Sequence, residues 1–274
     1  MNKNFRRVAY YLFVAAMVIY SLFPIYWMMV TSLRDPSVLY NTVNLLPGPW
    51  SLQSYQVLLT LTDFPGWFKN SMIVAFGTVA ITITLSTLIA YAVTRLQFPG
   101  KMFVVGTMLY AYMFPPLLLA IPLASLFVAT GIYDSLLSLI IAHSTISLPL
   151  GVWLLWGFFK QIPPDVEEAA MVDGCSRLGA FLRVVLPLTL PGIVTVAIFA
   201  FLLSWTDYIF GFVMISNDAN KTLPVGLETM VGAYELRWGE LMAGSTLIAL
   251  PLFLMFSFLS RYFIRGLAAG AVKG

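Results

Sequence analysis

Apolar residues occur along this chain in long unbroken runs, separated by short polar segments. Six runs each exceed the ~18 residues needed to cross a bilayer; they are Val8–Val30, Ser71–Val93, Met102–Phe127, Ser135–Phe159, Leu188–Val213 and Leu241–Ile264. Because backbone groups in lipid cannot bond to water, such runs must be helices or strands of a closed barrel. The runs lack the two-residue alternation of barrel strands. The pattern therefore predicts an all-α integral membrane bundle of six helices, forming one transmembrane domain over residues 1–274.

The polar positions between the runs predict the orientation of the bundle. Six spans place both termini on one side, and most Lys and Arg residues lie on that side: Lys3, Arg6, Arg7, Arg95, Lys101, Lys160, Arg177, Arg183, Arg261, Arg265 and Lys273. The other side holds Arg34, Lys69, Lys221 and Arg237. Since loops rich in Lys and Arg face the cytoplasm, both termini are predicted to be cytoplasmic.

Composition supports a membrane protein. Of 274 residues, 60% are hydrophobic and 10% are charged, whereas a soluble domain has roughly 25% charged residues. The net charge of +3 gives no reason to expect nucleic acid as a partner, and the single Cys175 excludes a disulfide within the chain. The first run is longer than a signal-peptide core and no small-x-small cleavage site follows it, so we expect a retained helix.

One polar segment departs from this pattern, because four of the twelve acids lie close together between the fourth and fifth runs. They are Asp165, Glu167, Glu168 and Asp173. Pro163 and Pro164 favour the start of a short helix, whose first turn would hold carboxylates at the positive end of the helix dipole. Gly174 is a typical helix stop. The predicted orientation places this acidic segment in the cytoplasm.

A second short helix is predicted after the glycine. Ser176 can cap its first turn, and its apolar side chains share one face at helical spacing: Leu178, Phe181, Leu182 and Val185. The segment can be a well-capped connector between two spans. Alternatively, Ala169 and Ala170 form a small, flat surface flanked by acids, which suits close packing by another protein.

The spacing of this segment resembles a known motif. Glu168-Ala169-Ala170, three residues, Gly174, nine residues and then Val184-x-Leu186-Pro187 resembles the EAA loop of ABC importer permeases, in which isoleucine stands at the position of Val184. The tail GLAAGAVKG and the stretches SWTDYIFGF and RLQFPGK are similar to the smaller permease subunit of maltose-type carbohydrate importers. Thr206 stands where that group has asparagine.

The resemblance implies a type I ABC importer permease fold in a bacterial inner membrane, with this chain as a non-enzymatic half of a sugar pore. It implies that loop 160–187 couples the pore to a separate ATPase through Glu168, Ala169, Ala170, Asp173, Gly174, Leu186 and Pro187. The cytoplasmic tail 266–274 is expected to contact the same ATPase through Gly270, Ala271, Val272, Lys273 and Gly274.

The resemblance also implies the partners. They are a larger permease subunit, a dimer of nucleotide-binding ATPase subunits, an extracytoplasmic solute-binding protein, the lipid bilayer and a sugar. ATP and Mg would be bound by the ATPase, with no cofactor or metal on this chain. The sequence itself contains no GxxxxGK followed by Ser or Thr, the phosphate-binding pattern of such ATPases.

Ionisable residues are scarce inside the runs, and such residues in lipid are functional candidates by default. Asp207 has two interpretations: a buried carboxylate bonded to a neighbouring helix, or a pore residue at the periplasmic gate or subunit interface. His143, the single histidine, is expected to bond to a facing helix. Proline residues interrupt the third run (Pro115, Pro116, Pro122) and the fourth (Pro149).

Other functions remain open from the residues alone. An ion-coupled carrier needs intramembrane acids or histidines, for which Asp207 and His143 are a small set. A permease for glycerol phosphate or another polyol derivative would gain from basic residues at the outer side. That side holds four basic residues against seven acids: Asp35, Asp63, Asp134, Asp218, Glu228, Glu235 and Glu240. The balance favours a neutral sugar.

Overall fold

The computed structural model describes residues 3–39, 48–231 and 237–271, and its regular structure there is helical. In chain order the α-helices are α1 (Lys3–Ser32), α2 (Pro36–Leu39), α3 (Gln53–Thr60), α4 (Phe64–Arg95), α5 (Lys101–Met113), α6 (Pro116–Thr130), α7 (Leu136–Gln161), α8 (Pro164–Val172), α9 (Arg177–Ala180), α10 (Leu186–Leu188), α11 (Leu190–Trp205), α12 (Ile209–Met214), α13 (Leu223–Glu228) and α14 (Trp238–Ala271). A π-helical turn, Phe181–Val185, joins α9 to α10.

Long apolar helices supply the membrane spans. Within the described ranges, four helices are long and apolar enough to cross a bilayer, in α1, α4, α7 and α14. Two bent pairs pass the same test together: α5 with α6 at an angle of 101°, and the segment α9–α10 with α11 at 72°. If each bent pair is one span, the total is six. The predicted all-α membrane fold is therefore confirmed.

Two of the six predicted runs are broken, and the predicted interruption of the third run by proline is confirmed. The third run, Met102–Phe127, divides at Phe114, which has extended backbone angles (φ −73°, ψ 130°). A residue before proline is pushed out of the helical region, and Pro115 follows. The fifth run, Leu188–Val213, divides where α11 ends at Trp205 and α12 restarts at Ile209.

The chain divides into two compact units, Met1–Pro65 with Gly226–Pro251, and Gly66–Val225 with Leu252–Gly274. In the first unit, the hydroxyls of Ser32 and Tyr55 lie 2.8 Å apart and tie α1 to α3. The turn after α1 is held by Asp35, whose carboxylate accepts bonds from the hydroxyl and backbone N–H of Ser37. These two bonds lower the pKa of Asp35 below its ordinary value.

The second unit contains two apolar clusters. One joins α4, α6, α7 and the region of α12 through Val74, Ala120, Phe127, Leu139, Ala142, Phe210, Met214 and Ile215. The other joins α4, α7 and α11 to the turn between α9 and α10 through Ala90, Leu155, Phe159, Phe181, Val185 and Val196. The second cluster therefore fixes part of the acidic loop to three long helices.

Small residues let these three helices approach closely. A Cβ added to Gly151 of α7 would lie 3.0 Å from the Cβ of Ser86 and 3.1 Å from a methyl of Val196. The hydroxyls of Thr82 and Ser147, both fully or nearly buried, lie 2.6 Å apart and link α4 to α7. Helices in lipid associate through such close packing and interhelical hydrogen bonds. The helices α4, α7 and α11 therefore pack closely together beside the loop.

Candidate functional site

The loop between α7 and α11 begins with a sharply defined short helix. Pro163 is extended (φ −58°, ψ 138°) and Pro164 starts α8, where the missing proline N–H costs no helical hydrogen bond. At the other end the backbone N–H groups of Asp173, Gly174 and Cys175 donate to carbonyls of the last turn of α8. Gly174 has φ +93°, a conformation that glycine adopts without the penalty other residues pay. The predicted helix and glycine break are both confirmed.

The second half of the loop departs in part from the prediction. Ser176 caps α9 as expected, its hydroxyl accepting from the N–H of Gly179 at 3.1 Å. Phe181 and Val185 are buried in the core, but Leu178 and Leu182 are 65% and 49% exposed. The π-helical turn from Phe181 explains the difference, since its i→i+5 bonding changes the angular spacing of side chains along the segment. The four residues therefore do not form one buried face.

Glu167 is the buried acid of this loop, with only 4% of its surface exposed. Its Oε2 lies 3.0 Å from Nε of Arg95, and its Oε1 accepts a hydrogen bond from the hydroxyl of Tyr91. Arg95 also donates to the carbonyl of Ile162 at 2.9 Å. Both donors belong to the last turns of α4, so one carboxylate fastens α8 to the end of a long apolar helix.

The side chains on the opposite face of α8 make no hydrogen bond or ion pair with the residues that the structure describes. Glu168, Ala169 and Asp173 are exposed, and Val172 is 87% exposed. Successive helical residues point about 100° apart, because a turn holds 3.6 residues, so Glu167 is buried while its neighbour Glu168 is exposed. Ala170 is half-buried. The small outer surface predicted for Ala169 and Ala170 is thus present mainly at Ala169.

Two cavities adjoin the loop. A polar cleft of about 240 Å³ lies against α8 and is lined by Thr94, Arg95, Gln97, Pro164, Glu167, Glu168, Met171 and Arg177. An apolar cavity of about 580 Å³ lies where the loop enters α11 and is lined by Ile83, Thr84, Thr87, Leu88, Phe181, Leu186, Pro187, Leu190 and Ile193. Leu186 and Pro187 therefore lie apart from the outer face of α8, at the wall of a separate cavity.

The predicted pore candidate, Asp207, lies in the break between α11 and α12. Its carboxylate accepts from the N–H of Gly211 at 3.1 Å and of Phe210 at 3.4 Å, which caps α12. Nε2 of His143 lies 3.2 Å from Asp207 Oδ2, within ion-pair range but not aligned as a hydrogen bond. Nδ1 of His143 lies 2.9 Å from the hydroxyl of Ser204. His143 thus bonds to a facing helix, as the sequence predicts.

The tail predicted to contact an ATPase is only partly described. Gly270 and Ala271 form the end of α14, whereas Val272, Lys273 and Gly274 lie outside the described residues.

Sequence reasoning missed Tyr91 and Arg95 as partners of the loop, and treated Glu167 as one of several first-turn acids. The available signal was Arg95, which follows the second apolar run and begins the RLQFPGK stretch, and a second glutamate directly before Glu168. A pairing between positions 72 residues apart cannot be read from spacing within either segment.

The helices define this chain first as a multi-pass, all-α membrane protein. A family model described as binding-protein-dependent transport system inner membrane component matches residues 82–269. The chain belongs to that family. It is 36% identical over 276 residues to the inner membrane ABC transporter permease protein YcjP of Escherichia coli, covering 100% of this chain and 99% of that protein.

Relatives and solved structures extend the match. The trehalose transport system permease protein SugB of Mycobacterium tuberculosis is 34% identical, over 98% of this chain and 99% of that protein. The trehalose/maltose transport system permease protein MalG of Thermococcus litoralis is 33% identical, over 94% of each. A chain of a bacterial ABC transporter involved in import of the acidic polysaccharide alginate has a TM-score of 0.84 at 17% identity, over 96% of this chain and 99% of that chain. At that identity the likeness shows the fold.

Family membership settles the class of activity. The chain is the non-catalytic, multi-pass permease component of an inner-membrane ABC transporter, and the family carries no cofactor on this subunit. Among the described residues, there is no group of three or more His, Cys, Asp or Glu side chains that could hold a metal ion.

Proposed function

We propose that this chain forms half of the pore of an ATP-driven sugar importer and takes its energy from a separate ATPase that docks on the outer face of α8. The observation that carries the proposal is the two-sided construction of α8. Glu167 is buried against α4, while Glu168, Ala169 and Val172 are exposed. A short helix fixed on one side and open on the other suits insertion into a groove of a partner.

The docking surface comprises Glu168, Ala169, Ala170, Asp173 and Gly174, with Leu186 and Pro187 fixing the exit into α11. An exposed Val172 beside small alanines offers an apolar centre, and the acids around it offer a charged rim, as interfaces commonly do. The tail residues Gly270 to Gly274 are proposed as a second contact with the ATPase. In this arrangement both termini and the loop are cytoplasmic, as the distribution of Lys and Arg favours.

A cross-linking experiment tests the docking site and the orientation together. With a photo-reactive amino acid at Val172, we expect illumination of the assembled transporter to join this chain to the ATPase, because Val172 is 87% exposed at the proposed contact. Leu137, 50% exposed at the start of α7, is the matched control. Leu137 is about 36 Å from the other end of α7, where the loop begins, at 1.5 Å per residue along the helix. It should therefore give no cross-link to the ATPase.

The result that contradicts the proposal is equally plain. A product with the ATPase from Leu137 and none from Val172 would place the ATPase at the opposite end of α7, and would reverse the orientation as well.

The proposed substrate class is a neutral sugar. Relatives named for trehalose, for trehalose and maltose, and for diacetylchitobiose are 34%, 33% and 32% identical to this chain. In the proposed orientation the outer loops carry more acids than bases, which disfavours an anionic solute. The chief alternative is a polyol derivative, and a relative named for sulfoquinovosyl glycerol is also 32% identical.

The bound ligand of the partner binding protein distinguishes these classes. We expect the solute-binding protein that stimulates ATP hydrolysis by the assembled transporter to release an uncharged sugar when it is denatured, detected by mass spectrometry. The same binding protein refolded without ligand should recover stimulation on addition of that sugar. Release of a phosphorylated or sulfonated polyol, with stimulation by it alone, would favour the alternative.

A further inference from the structure

Arg95, the first residue of the RLQFPGK stretch, contacts the acidic loop in the structure. Arg95 is the last residue of α4, and its side chain is 9% exposed. Its Nε lies 3.0 Å from Oε2 of Glu167, and a terminal nitrogen donates to the carbonyl of Ile162 at 2.9 Å. Ile162 is the C-cap residue of α7, directly after its last residue Gln161. One guanidinium therefore joins the end of α4 to the end of α7 and the start of α8.

The second oxygen of the same carboxylate is also occupied. Tyr91, one turn before Arg95 on α4, donates its hydroxyl to Oε1 of Glu167. The ring of Tyr91 packs on Phe181 at a centroid distance of 4.4 Å and on Phe159 at 6.0 Å. Glu167 thus contacts α4 through two donors, and one of these donors packs on the turn that follows α9.

This contact is suited to fixing the position of α8 relative to α4. A buried ion pair adds little net stability because desolvation offsets the attraction, yet removing one partner leaves a buried charge without compensation. The planar guanidinium of Arg95 bonds two groups in fixed directions, which a lysine ammonium cannot reproduce. A displacement of α8 therefore cannot leave the end of α4 behind without breaking these bonds.

We propose that Tyr91, Arg95 and Glu167, here called the carboxylate clamp, are positioning residues that transmit movement of α8 to α4. This inference rests on the proposed docking of the ATPase on the outer face of α8. The adjacent acids Glu167 and Glu168 then have different roles. Glu168 contacts the ATPase, and Glu167 binds α4.

The experiment uses the complete transporter reconstituted with its binding protein. Glu167→Gln preserves shape and removes the charge. We expect assembled complexes of this variant to retain the ATPase at the normal ratio, while the stimulation of ATP hydrolysis by the liganded binding protein falls about tenfold, within the usual range of coupling effects. Glu168→Gln, an adjacent change of the same chemistry, should instead weaken retention of the ATPase.

A purely structural role predicts a different result. It would lower the yield or thermal stability of Glu167→Gln and leave the stimulation ratio of the surviving complexes unchanged, and that outcome overturns the inference. If Glu167→Gln does not assemble, Tyr91→Phe is tested instead, because it removes one hydrogen bond to the same carboxylate. The measurement is again the stimulation of ATP hydrolysis by the liganded binding protein. Normal ATPase retention in Glu168→Gln and Ala169→Asp would instead count against the proposed docking face, irrespective of the clamp.

Discussion

Uptake of labelled sugar is expected to fall to background when Gly174 or Ala169 is replaced by aspartate, although each variant chain still inserts and pairs with the second permease subunit. Both positions are exposed at the end of α8, at the proposed contact with the ATPase. A carboxylate introduced there would be buried on docking without a counter-charge, which costs several kcal/mol. Since about 1.4 kcal/mol is a factor of ten, docking would weaken by orders of magnitude.

The fold itself should survive these changes. A Cβ on Gly174 meets no atom within 4 Å, so the cost within the chain is conformational, at φ +93°. For a residue with a side chain in a left-handed conformation that cost is about 1–2 kcal/mol. It is too small to unfold a membrane bundle whose spans are held by many other contacts.

Matched variants at the same positions separate conformation from docking. Gly174→Ala carries the same backbone strain without the charge, and Ala169→Ser adds a small polar group; both should retain most uptake. Glu168→Ala should be intermediate, because a charged contact at a wet rim contributes little. Co-purification of the ATPase and uptake are measured for each. Normal ATPase retention and normal uptake in both aspartate variants would show that the loop is only a connector between two spans.

The acidic loop shows which features are predictable from sequence. Its helix, its stop at Gly174 and its cap at Ser176 were all predicted, because proline, glycine and serine act on the backbone within a few residues of themselves. The long spans are predictable as well, because their apolar composition directly indicates a lipid environment. These are local properties, and a single sequence contains them in full.

The contacts that cross between segments were not predictable in the same way. Burial of Glu167 depends on Tyr91 and Arg95, which lie more than seventy positions earlier, and neither segment alone identifies its partner. The break after Trp205 shows a second limit, whereas Pro115 indicates the break after Met113. The mean hydropathy of the fifth run does not reveal its break, since a single aspartate barely changes the mean over a span.

Removing the carboxylate of Asp207 is expected to destabilise the chain substantially. Asp207→Ala would leave His143, which is 1% exposed, without its 3.2 Å partner, and would remove the cap of α12. A lost helix cap typically costs about 1 kcal/mol, and a buried polar group left without its neighbour costs about 1–3 kcal/mol more. At about 2–4 °C per kcal/mol for a chain of this size class, the melting temperature in detergent should fall by roughly 4–16 °C. Thermal melting of the purified chain measures the effect.

Asp207→Asn then separates the two interpretations of this residue. Its amide oxygen can still accept from the N–H groups of α12, so a structural role predicts near-normal melting and near-normal uptake. A role at the gate or subunit interface that needs the charge predicts normal melting with uptake lost. In the double variant Asp207→Ala/His143→Leu the loss should be smaller than the sum of the single losses, because both remove the same interaction. Strict additivity would show that the two side chains do not act as a pair.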